Sequence, residues 1–199
     1  HINPDGPGLL PGGERLPDHD YYQDFPGIDW MPGAVDVIYS HPGSLGTQEV
    51  QQRIDAITGA FLSLGKGSIS KSIEELEEIL KTPRTLSVID RVLQRLIISS
   101  DVNQQLIYLV CRKLFLEAGF RGVVKFCIGV MGLYGVPSDL EFFKVIARHD
   151  EFTLYCAVAI IGMVDDPPKH WLEMARNVTG WGRIHLVGRL VEAAGKNRE

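Results

Sequence analysis

From residue 47 onward, apolar residues recur three or four positions apart, the spacing that turns one face of an α-helix toward a core. Over residues 48–64, Val50, Ile54, Ile57, Phe61 and Leu64 fall on one such face, and Gly65-Lys66-Gly67 ends the pattern. Ser72-Ile73-Glu74-Glu75 reads as a capping box, opening a helix that runs to about Lys81 and stops before Pro83. Two longer helices are predicted over 85–98 and 102–118, with Asp101 as N-cap of the second and Gly119 as its stop.

The carboxy-terminal part repeats itself. VVKFCIGVMG (123–132), TLYCAVAIIG (153–162) and RIHLVGRLVE (183–192) align in two steps of thirty residues, 153 − 123 and 183 − 153. Val124, Leu154 and Ile184 then coincide, as do Cys127, Ala157 and Val187, and Met131, Ile161 and Val191; Gly132 pairs with Gly162. Between these segments lie more polar helices, one opened by Pro137, Ser138 and Glu141, the next by Asp166, Pro167 and Pro168. A helix pair cannot bury its apolar face alone, so repeated pairs stack. The expected fold is all-α: a superhelix of about nine helices with HEAT- or armadillo-like repeats over 47–199. The final apolar helix, 183–194, has no second helix after it. A continuation of the array, the arm, or a second subunit is expected to cover that end.

Residues 1–46 differ. They hold seven of the eleven prolines and eight of the 21 glycines, which no regular helix tolerates. They also carry Tyr21, Tyr22, Phe25, Ile28, Trp30, Met31 and Tyr39, more apolar surface than a flexible linker needs. An extended arm with its aromatics packed on the helical body is expected, the alternative being a mobile peptide that docks on another protein.

The stretch Ala175-Arg176-Asn177-Val178-Thr179-Gly180-Trp181-Gly182-Arg183-Ile184-His185-Leu186-Val187 resembles a segment of bacterial helical-repeat proteins often labelled limonene hydroxylase. That family is expected to carry an acid where this chain has Gly188, and no catalytic residue transfers. The resemblance implies a helical repeat more than oxygen chemistry. Read from the residues, Gly180 supplies a left-handed turn and Gly182 lets Trp181 enter the groove between layers. On a helical wheel Ile184, Val187, Leu190 and Val191 share one face, with His185, Arg189 and Glu192 opposite. Arg183, at the stripe's edge, is expected to satisfy carbonyls ending the preceding helix or to pair with an acid of a neighbouring unit.

Charge narrows the partners. Residues 1–46 hold seven acids and one base, a net of −6, which leaves 19 bases and 18 acids, +1, for 47–199. Without a basic excess, nucleic acid is not an expected partner. No apolar run reaches the roughly 18 residues needed to span a bilayer, so no membrane is expected either. Cys111, Cys127 and Cys156 lie dispersed in apolar segments, which points to reduced, packed thiols and a cytoplasmic location. The chain begins at His1 without the features of a signal peptide and reads as a fragment.

Candidate chemistry is sparse. The weak metal candidates are His149, Asp150, His170 and His185. His149-Asp150 matches the HD dipeptide of metal-dependent phosphohydrolases. Those need a histidine on an earlier helix, and none occurs between His41 and His149. Di-iron helical-repeat hydroxylases use His-Glu pairs, and this chain has no His-Glu dipeptide. Asp18, Asp20 and Asp24 lack the glycine and terminal glutamate of an EF-hand loop. No phosphate-binding or nucleophile-elbow glycine motif is present. The expected function is therefore a non-catalytic scaffold, without cofactor, that binds another protein through its concave surface, in the form of an inhibitor or immunity partner of a basic toxin. Trp181, Arg183, His185, Arg189, Trp30, Tyr21 and Tyr22 are the candidate binding residues. The alternative is a hydroxylase-like, metal-dependent enzyme with a histidine site between repeats.

Overall fold

The computed structural model describes residues 2–21, 31–34, 36, 47–81 and 85–196. Their regular structure is helical, apart from an isolated antiparallel bridge between Ile2 and Leu9. Two compact units form, Asp36–Gly135 and His1–Val35 with Val136–Glu199, so their boundaries lie away from the composition change at residue 46.

The first unit contains α1 (Thr47–Ser63), α2 (Ile69–Leu80), α3 (Ile89–Ile98), α4 (Gln104–Glu117) and α5 (Arg121–Tyr134). The face foreseen for α1 is largely inward, with Ile54, Ile57 and Phe61 buried. The capping box at Ser72 is not used. Ser68 caps α2 by accepting from the Lys71 amide at 3.5 Å, one turn earlier. The helix therefore begins at Ile69, and it buries Leu76 and Leu80. Asn103, not Asp101, caps α4, accepting from the Leu106 amide at 3.0 Å. Both residue types cap well, so the preference alone did not separate them. Residues 85–88 form a turn before α3 rather than its first helical turn.

The α5 helix packs against α2, α3 and α4 and is buried from Gly122 to Ile128 and again at Val130 and Met131. Its one internal charge, Lys125, is buried and donates to the buried carboxylate of Asp36 at 2.7 Å. Such a charge stays in a core only when paired.

In the second unit, a 3₁₀ turn at Pro137–Asp139 leads into α6 (Leu140–Ile146), followed by α7 (Asp150–Ala159), α8 (Pro167–Asn177) and α9 (Gly180–Lys196). Asp166 caps α8 as its two following prolines predict, accepting from the Lys169 amide at 3.2 Å. Trp171 is buried, and its indole donates to the Ala157 carbonyl at 2.8 Å, joining α8 to α7. The described part of the arm is held by backbone contacts rather than aromatics. The Gly8 amide donates to the Asn177 carbonyl at 2.8 Å, while Tyr21 and Met31 are exposed. Tyr22, Phe25, Ile28, Trp30 and Tyr39 lie outside the described residues.

Candidate functional site

Four consecutive residues, from the α6–α7 connection into the first turn of α7, each grip another part of the second unit. Arg148 donates through Nη2 to the carbonyls of Asn3, at 2.8 Å, and Gly6. His149 caps α7, its Nδ1 accepting from the Glu151 amide at 3.2 Å, while its Nε2 meets the Glu14 carbonyl at 3.2 Å. An amide can only donate, so the imidazole making both contacts carries its proton on Nε2. Asp150 accepts from the Trp181 amide at 3.1 Å. The buried Glu151 carboxylate accepts from the Gly33 amide at 2.8 Å. Together they clasp the arm, α7 and the start of α9.

The clasp also fixes how α9 is rotated. Gly180 has φ +56°, as its predicted left-handed turn requires, and a Cβ there would lie 2.1 Å from Asp150 Oδ2. At Gly182 a Cβ would lie 2.4 Å from Thr153 Oγ1 and 2.8 Å from Val178 Cγ2. Arg183 Nε donates to the carbonyls of Ala175 at 3.0 Å and Val178 at 2.8 Å, the carbonyl-satisfying role its position suggested. With its first turn pinned in this way, α9 presents Gly182 and Leu186 inward, flanked by half-buried His185 and Arg189.

This rotation reverses the expected orientation by about half a turn. Ile184, Val187 and Val191, foreseen as the inward face, are 59%, 47% and 67% exposed. Gly188 lies exposed beside them, with nothing near the position a Cβ would take. Trp181, expected in a groove, is 36% exposed because the glycine after it takes the close contact instead.

The other candidates are placed as follows. The Trp181 ring lies 6.3 Å from that of His185. Arg189 lies over the Trp171 ring, 5.9 Å from its centroid, within cation–π range. His170 Nδ1 is 3.9 Å from a Glu173 carboxylate oxygen. Asp18 is buried, and Asp20 pairs with Arg15 at 2.9 Å, so neither is a free acid on the arm; Asp24 lies outside the described residues.

Chemically the clasp is already committed. Both ring nitrogens of His149 are occupied, and the carboxylates of Asp150 and Glu151 hold backbone amides. Burial pushes the half-buried Asp150 carboxyl up to about 6, against the downward pull of the Trp181 and Gly182 amides and the Arg183 charge. Among the described residues no three His, Cys, Asp or Glu side chains are grouped so as to hold a metal ion. No described helix is long and apolar enough to cross a membrane.

A feature not drawn from the sequence is the column one residue after Lys125, Tyr155 and His185. Phe126, Cys156 and Leu186 are each fully buried, at 0% exposure. The thirty-residue register contained this column, although only the columns of Val124, Cys127 and Met131 were singled out from it. No protein-family model, curated protein or solved structure matches the chain.

Proposed function

We propose that this chain is a non-catalytic scaffold of HEAT- or armadillo-like helical repeats that binds another protein, and that the outer face of α9 is part of its binding surface. The observation that carries the reading is the exposed row Ile184, Val187 and Val191, with Gly188 beside it. Scattered exposed apolar residues are ordinary, but a contiguous row along one helix face marks a contact surface. The shared buried column Phe126, Cys156 and Leu186 supports the repeat at that position, although Val187 and Val191 are exposed where Cys127 and Met131 are buried.

The partner favoured by this face presents an apolar helix or helix groove, because a row at i, i+3 and i+7 is read by helix-in-groove packing. It gives less weight to a basic toxin held by the arm, where Asp18 is buried and Asp20 pairs with Arg15. The test is affinity capture with the full chain and with Ile184→Glu/Val187→Glu/Val191→Glu. A partner retained by the parent chain should be lost at least about tenfold in the variant, while the thermal midpoint stays within a few degrees. Equal retention by both chains would remove α9 from the surface.

A further inference from the structure

The α4–α5 hairpin places two thiols opposite each other. Cys111 and Cys127 are each eight residues from Gly119, 119 − 111 and 127 − 119, so they lie level with each other along the two helices of the hairpin, and both point into the core. The two helices form the most extensively packed pair in the molecule. Both cysteines are fully buried, and Cys111 is one of the groups that acts on the Cys127 thiol. Cys156 is also buried but belongs to the other unit.

We propose that Cys111 and Cys127 are a latent disulfide, which closes across the α4–α5 hairpin when the protein meets a small disulfide oxidant of the glutathione type. One cysteine thiolate attacks oxidised glutathione, forming a mixed disulfide and releasing one glutathione thiolate. The second cysteine attacks the protein sulfur of that mixed disulfide, forming the Cys111–Cys127 bond and releasing the second glutathione. Two protein thiols are oxidised and one glutathione disulfide is reduced to two thiols. Buried thiols level with each other across a closely packed helix pair satisfy the first requirement for a bond, side chains held between the same two backbones. Burial is the main force raising the Cys127 thiol well above its usual range, with Cys111 and Glu77 adding to it, so the closed hairpin is slow to react. Opening of the helix pair sets the rate, and closing it sets the equilibrium. Oxidation would staple one face of the α5 core without any residue of α9 taking part.

The test uses the full chain carrying Cys156→Ser, equilibrated in graded ratios of reduced and oxidised glutathione. Equilibrium is approached from both the reduced and the oxidised protein, and samples are alkylated before mass analysis. The folded chain should form the intramolecular disulfide with an equilibrium constant at least tenfold higher than the same chain in denaturant, with tryptic peptides 96–112 and 126–144 linked. Cys111→Ser and Cys127→Ser should each give only a glutathione adduct. An equal or smaller constant in the folded chain would overturn the proposal, as would adducts on both cysteines without a link.

Discussion

At the junction of α6 and α7, Arg148, His149, Asp150 and Glu151 are all polar, and all are engaged by other parts of the second unit. On the outer face of α9, Ile184, Val187 and Val191 are all apolar, yet remain exposed. The residue types suited to chemistry are consumed in holding the fold, while those suited to a core are left on the surface. The contrast teaches that the chemical character of a residue says less about its role than which neighbours reach it first.

Changes to engaged polar groups should have the largest effects. Asp36→Ala removes a buried carboxylate to which the Lys125 ammonium donates and should cost about 3–5 kcal/mol in chemical denaturation, as for other broken buried pairs. Adding Lys125→Met should recover much of that loss. Glu151→Ala leaves the Gly33 amide without its buried acceptor and should cost about 1–3 kcal/mol. Gly182→Ala, forced against Thr153 and Val178, should cost a similar amount, about 1–3 kcal/mol.

The Asp150 carboxyl gives a smaller effect with a defined sign. Its folded-state value, about 6, lies above the ordinary aspartate value. The folded protein therefore binds this proton more tightly, so its stabilising contribution is complete below about pH 4 and is lost as pH rises through 6. Because the group is half-exposed, solvent screening reduces the span to about 1 kcal/mol. Asp150→Asn keeps an acceptor for the Trp181 amide and should flatten this part of the stability-versus-pH curve, measured by urea unfolding at intervals from pH 4 to 7. An unchanged slope would mean that another group titrates there.

The uncommitted face should yield the least. Trp181→Ala should cost under about 1 kcal/mol by thermal unfolding, well below the 3–5 kcal/mol typical of a buried aromatic. Val187→Glu should change stability by no more than about 0.5 kcal/mol. A large loss for either would place α9's outer face inside a core and erase the contrast with the clasp.

Periodicity alone made much of the fold legible. Ile54, Ile57 and Phe61 on α1, the Asp166 cap of α8 and the left-handed turn at Gly180 all follow from local rules. What escaped was set by distant partners. The wheel of α9 was correct as a wheel, but its rotation depends on Asp150 some thirty residues away and on the contact between Gly182 and Thr153. His149-Asp150 was visible as a dipeptide, while its ties to Glu14 and the start of α9 required the folded chain. Ser68 and Asn103 took the cap positions expected of Ser72 and Asp101, residues of equally good capping type a few positions away that local preference does not separate.

The most direct measurement places a photo-cross-linking amino acid at Val187 of the full chain and irradiates it in an extract of its source cells. The account predicts a discrete protein adduct through that residue, suppressed when Ile184 and Val191 are both changed to glutamate in a chain that still unfolds at the parent temperature. Absence of any adduct, or one indifferent to those two substitutions, would contradict the assignment of α9's outer face as a binding surface.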